Sequence, residues 1–155
     1  MSCGIYDYDP NADMPRQQRD WDCSAAATAW LGRSIGWGWA ELDVAWSFQA
    51  QGIATPQLGL LVGTGAGIVH WLSLQPLAAS NHRTTWSMLQ DRDWSCPLIM
   101  GSTRWYHWVG VRGMTQDGSL DLANSAPGWS GIWQTMTESQ FDGFGDFWAV
   151  SPAGE

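Results

Sequence analysis

A chain of 155 residues with 45% apolar and 14% charged side chains is about one domain long, enough to bury a core around a cleft, and its composition excludes a disordered chain. A net charge of -8, with seven Arg and no Lys, leaves no basic patch to neutralise a phosphate backbone and argues against nucleic acid as a partner. No run approaches the roughly 20 apolar residues of a membrane span, and Cys3, Cys23 and Cys96 are too few and too scattered for a disulfide framework or a zinc site.

The N-terminus, Met1-Ser2-Cys3-Gly4 followed by Asp7, Asp9 and Asp13, lacks the basic start and apolar run of a secretory signal. The expectation is a chain that stays in the cytoplasm or is released without such a signal. Residues 1–22 are polar with Pro10 and Pro15 and read as an extended lead-in. From Ser24 the run Ala25-Ala26-Ala27-Thr28-Ala29-Trp30-Leu31 favours helix, with Gly32 and Gly36 to stop it. Cys23 therefore stands at a helix N-terminus. A second helix is predicted over 39–51, a turn or short helical start over 55–59, a helix over 66–74 and a short one over 86–90.

The pattern changes after Asp93. Pro97-Leu98-Ile99-Met100, Tyr106-His107-Trp108-Val109-Gly110-Val111, Leu120-Asp121-Leu122-Ala123 and Phe147-Trp148-Ala149-Val150 read as short strands, and Gln116-Asp117-Gly118 marks a hairpin turn between the second and third. Helices first and antiparallel strands second predict an α+β domain with N-terminal helices packed on a C-terminal sheet, with neither repeat nor linker within residues 1–155.

A cysteine attacks as thiolate, and a helix N-terminus and a nearby imidazolium are two ways to lower its pKa. Cys23 has the first by position. His107 is a polar ring in an apolar strand pattern. Asn124 ends the next strand of the predicted hairpin, 17 residues on, where its side chain can orient the imidazole. Gln17, six residues before Cys23, supplies an amide that can donate to an oxyanion together with the cysteine's own N–H.

That order, in Gln17, Asp22-Cys23-Ser24-Ala25-Ala26, Tyr106-His107-Trp108-Val109-Gly110-Val111 and Asp121-Leu122-Ala123-Asn124 with Pro127-Gly128 behind it, resembles the papain-like cysteine peptidases. Within them it is most similar to the compact bacterial group that includes the bacteriocin leader-processing (double-glycine) peptidase domains of export transporters. The resemblance implies a papain-like fold and hydrolysis of a peptide or amide bond through a thioester, with no metal and no organic cofactor. It makes Cys23 the nucleophile, His107 the general base and acid, Asn124 the orienting residue and Gln17 the oxyanion donor. The expected partner is a peptide or peptidoglycan-like substrate. Asp22-Cys23-Ser24 and the His107 strand also resemble the NlpC-type cell-wall peptidases, which raises stem-peptide hydrolysis as an alternative, although 84 residues separate Cys23 from His107 and Gln17 has no role there. Transglutaminase-like acyl transfer, or a binding module that holds a peptide or glycan without cutting it, are the other readings.

Thirteen tryptophans exceed what a small core hides completely. Trp21, Trp105 and Trp129 flank the segments above and are candidates to wall the cleft, whereas Trp108 should face away from His107. Gly63-Thr64-Gly65-Ala66-Gly67 lacks the Lys of a phosphate loop and reads as a helix entrance. His70, in a helical run, and His82, in a polar turn, have no partner at ligand spacing. Cys96 reads as a buried apolar residue and Cys3 as a terminal thiol. The pairs Asp91 and Asp93, or Asp142 and Asp146, lie in loop-like sequence and read as solvated carboxylates.

Overall fold

The computed structural model describes residues 6–19, 21–125 and 134–152. The alanine-rich run forms α1 (Cys23–Ser34), followed by α2 (Glu41–Ala50). The turn after Thr55 closes a hairpin of β1 (Ala54–Thr55) and β2 (Gly59–Leu60) where a short helical start was the other possibility. Gly59, at φ 64°, supplies the left-handed residue that this hairpin requires. Next comes α3 (Ala66–Leu74), which begins at the glycine-rich entrance.

The second half contains β3 (Ala79–Arg83), α4 (Trp86–Asp91), β4 (Leu98–Ser102), β5 (His107–Met114), β6 (Leu120–Ala123), β7 (Thr135–Met136), α5 (Glu138–Phe144) and β8 (Phe147–Pro152). Six strands form one antiparallel sheet in the order β3-β8-β4-β5-β6-β7. The arrangement is the expected α+β one. It differs in detail at β3, where His82 was expected in a polar turn. His82 instead pairs with Ala149 of β8. A polar segment with no apolar alternation becomes a strand because it covers a sheet edge, where polar side chains are tolerated.

Period-two alternation gives each strand two faces. Ile99, Trp108 and Val150 join Trp30, Phe48, Ile68 and Leu72 in the core beneath α1, α2 and α3. Leu98, Met100, Val109, Val111, Leu122 and Phe147 face the other way, onto Trp86, Leu89 and Phe141 of α4 and α5. Most described tryptophans serve these cores. Edge-to-face contacts link Trp37 to Trp39 at 4.9 Å, Trp39 to Trp71 at 5.0 Å and Trp71 to Phe48 at 5.3 Å between ring centroids, geometries that the ring quadrupole favours. No helix among the described residues is long and apolar enough to cross a membrane.

The docking of α1 on β5 depends on Gly110. A Cβ there would meet the ring of the fully buried Trp30 at 2.4 Å, so the indole lies directly on the strand backbone. Gly110→Ala is expected to destabilise the protein by about 1–3 kcal/mol through overpacking. Urea denaturation measures this, and a change below roughly 0.5 kcal/mol would mean that the helix can move aside freely.

Candidate active site

Cys23 is the first residue of α1, and its thiol opens, half-buried, into a cavity of about 470 Å³. It is the free cysteine among the described residues. Cys96, expected as a buried apolar side chain, is buried but disulfide-bonded. Burial raises the Cys23 thiol above its ordinary pKa. The backbone N–H groups of Trp108, Ser24 and Cys23 itself act against that rise, and the charge of Asp22 adds to it. The expectation of a thiol lowered by its helix N-terminus is thus corrected: the N–H groups are in place, but removal from water outweighs them.

His107 opens β5 and lines the same cavity. Its Nε2 lies 2.7 Å from Oδ1 of Asn124, just after β6. An amide oxygen only accepts, so Nε2 carries the hydrogen and Nδ1 keeps the lone pair. Burial lowers the imidazole pKa, partly offset by the Asn124 hydrogen bond. Both shifts favour the uncharged forms, a thiol and an imidazole whose Nδ1 keeps its lone pair.

The contact between His107 and Asn124 depends on strand register. Near the predicted turn, where Thr115 N–H donates to Ser119 O at 2.7 Å, Met114 pairs with Leu120 and Gly113 with Asp121. Beyond it Val111 pairs with Leu122 and Gly110 with Ala123, a shift of one residue between Val111 and Gly113. Continued in the first register, Asn124 would stand opposite Gly110 and share the face of Trp108. The bulge places it opposite Val109, on the face of His107. Arg112 braces the bulge, donating from Nη1 to Leu122 O at 2.5 Å and from Nε to Pro10 O at 3.1 Å.

Gln17 is buried and does not line the cavity. Its Nε2 donates to Arg19 O at 3.0 Å, which uses one of two amide hydrogens. Its Oε1 accepts from the Ser125 hydroxyl at 3.0 Å, and its backbone N–H donates to Ser125 O at 3.2 Å. Ser125 therefore fixes the amide's orientation from the residue that follows Asn124. Nothing in the sequence pattern pointed to Ser125, because the contact joins segments 108 residues apart.

Of the three candidate tryptophans, Trp21 lines the cavity, with the Arg19 guanidinium 4.2 Å over its ring. Trp105 lies outside it. Its ring meets His107 edge-on at 4.9 Å and stacks on Phe144 at 5.1 Å, so it shields the imidazole from water. Trp129 lies outside the described residues. Trp108 joins the α1 side of the sheet, away from His107's face, yet it also borders the cavity. The opposite wall comes from the β1–β2 hairpin, with Leu58 and Gly59, and the exposed Tyr106 stands at the rim. Those wall residues carry no sequence signal of their own, since only chain folding brings the hairpin over the site.

No family model matches this sequence, and no curated protein sequence does either. Among solved structures, the chain is similar to a double-glycine motif protease from an AMS/PCAT transporter, crystallised in complex with the leader peptide. The TM-score is 0.66 at 16% identity, over 93% of this chain and 94% of that one. The chain has the papain-like peptidase fold. In this chain the start of α1 and the start of β5, carrying Cys23 and His107, meet at one cavity.

In protein with ¹⁵N-labelled imidazoles, His107 is expected to titrate below the ordinary 6.5 and to remain the Nε2–H tautomer when neutral. Asn124→Ala removes an interaction that favours the imidazolium, so the midpoint should fall further. An unchanged or higher midpoint in that variant would contradict the assigned hydrogen bond.

Proposed function

We propose that this chain is a cysteine peptidase, one papain-like domain over residues 1–155, that cleaves a peptide bond through a thioester on Cys23. The observation that carries the reading is the 2.7 Å contact of His107 Nε2 with Asn124, in a histidine that shares its cavity with the free Cys23 thiol. That contact commits Nδ1 to being the basic nitrogen. As Sγ attacks the scissile carbonyl carbon, Nδ1 takes the thiol proton, so the thiolate forms only during attack. The resulting oxyanion accepts from the Cys23 backbone N–H, and the remaining Gln17 Nε2 hydrogen, behind the cavity wall in the free protein, closes on it once substrate is bound. The carbon–nitrogen bond then breaks, and His107 returns the proton to the leaving amine. In the second half, water gives a proton to His107 and attacks the thioester, releasing a carboxylate and restoring the thiol.

The substrate class follows from the cavity. Its lining residues, among those described, carry no carboxylate and no guanidinium, so a charged side chain entering it would lose hydration without gaining a partner. Together with the leader peptide held by the structurally similar protease, this supports a peptide with uncharged residues at the scissile bond.

Cys23→Ala should abolish turnover of such peptides and covalent labelling by an epoxide at this thiol; turnover retained by that variant sinks the reading. Gln17→Ala should lower kcat by about 10²–10³ with a smaller effect on KM, and a loss under about threefold would remove Gln17 from the oxyanion site. Because burial lowers the His107 pKa, kcat/KM should reach its acid half-maximum below the ordinary imidazole value, through loss of the neutral base. A pH–rate series checks that limb.

A further inference from the structure

Two buried acids behind Cys23 carry three carboxyl oxygens with no hydrogen-bond partner. Asp22 occupies the N-cap position of α1 but does not cap it: its side chain makes no hydrogen bond to the helix N–H groups. Oδ2 instead accepts from Arg19 Nε at 2.8 Å, and Oδ1 is buried with no N–H or O–H donor. Glu41 opens α2 and is 4% exposed, and neither of its oxygens has a well-aligned hydrogen-bond donor. With their other donors absent, the two carboxyl groups interact with each other, by side-chain hydrogen bonding and by charge. Two carboxylates are both acceptors and bond only when one carries a proton.

The surroundings indicate which one does. Asp22 already has a cationic partner, the Arg19 guanidinium, at 2.8 Å. The N-terminus of α2, the Gln18 N–H and Arg19 all favour an ionised Glu41, but burial first and Asp22 second push its carboxyl up to about 8. Arg16 and Arg33 share a shallow cavity with Glu41 on its outer side.

We propose that Glu41 is a positioning residue of the active site, donating as a carboxylic acid to Asp22 and so latching the nucleophile and oxyanion arms to α2. The contacts form a continuous chain. Glu41 holds Asp22, the residue before Cys23. Asp22 holds Arg19 through its side chain, and its N–H donates to Arg19 O at 3.1 Å. Arg19 O also accepts from Gln17 Nε2, and the Arg19 guanidinium lies 4.9 Å over Trp46 of α2. The acid on α2 thus sets both Sγ and the amide donor without touching substrate. The inference rests on the peptidase reading for its consequence in turnover, but not for its effect on the Cys23 thiol.

The test compares the full chain with Glu41→Gln and Glu41→Ala. Glutamine keeps a donor to Asp22 and has no proton to lose; alanine removes the latch. Three quantities are read: kcat and KM on a cleaved peptide, the rate of iodoacetamide alkylation at Cys23 located by mass spectrometry, and Tm from pH 5 to pH 9. A carboxyl raised in the folded state holds a proton that the unfolded chain sheds near 4.5. Its contribution to stability is therefore full at acid pH, declines through neutrality and levels off above about 8. The expected results are an alanine variant with kcat and alkylation reduced on the order of tenfold at pH 7 and KM little changed, and a glutamine variant restored to within about twofold. The Tm loss between pH 5 and pH 9 should be smaller in the glutamine variant than in wild type. Wild-type kcat and alkylation in the alanine variant, even with a lowered Tm, would overturn the latch, as would failure of glutamine to rescue. If wild type cleaves no peptide while alkylation and Tm follow the expected pattern, the latch stands and the peptidase reading falls.

Discussion

Trp30 of α1 lies where a side chain at position 110 of β5 would be, and the site's geometry follows from that contact. Cys23 and Trp30 are two turns apart on one helix face, while Trp108 and Gly110 are neighbours on one strand face. Seating Trp30 on Gly110 brings the start of α1 to the main chain of Trp108, whose N–H reaches the Cys23 thiol. The residue before Trp108 is His107. One close approach of helix to strand therefore delivers Cys23 and His107 to a common cavity, although each belongs to a different layer.

The same packing decides the electrostatics. Burial raises the Cys23 thiol and lowers the His107 imidazole, so both shifts favour the uncharged forms. A buried ion pair is favourable only when its attraction exceeds the desolvation of both partners. With the neutral forms preferred, the Asn124 contact selects the tautomer in which Nδ1 keeps its lone pair, and the Trp105 ring packs edge-on against the imidazole. The negative charge of Asp22 beside Cys23 would be a further obstacle to thiolate formation. Arg19 compensates it, and a proton on Glu41 prevents a second charge from joining it.

Much of the architecture was legible because local signals and tertiary needs agreed. The alanine run made α1, the Gln116-Asp117-Gly118 turn made the β5–β6 hairpin, and the apolar runs made β4, β5, β6 and β8. Thr137-Glu138-Ser139-Gln140 is a capping-box sequence, and α5 begins on it with both reciprocal bonds formed. Others had no local signal. β3 is polar and pairs only because β8 offers an edge, and β7 is two residues long. The β1–β2 hairpin is too short for periodicity to reveal, yet it supplies a cavity wall.

By itself the sequence determined which residue types were available for nucleophilic chemistry and in what order: an amide, a cysteine at a helix start, a histidine in a strand and an amide after the next strand. Those are local properties, set by backbone propensity and by residue chemistry within a few positions. Tertiary structure alone decided that Asn124 faces His107, since a one-residue bulge reverses every side chain beyond it, and that Trp105 shields the imidazole instead of walling the cavity. It also decided that Ser125 holds Gln17 and that Glu41 meets Asp22. Those pairings join distant segments, and the proton between the two acids exists because packing removed both from water, a condition no single stretch of chain can specify.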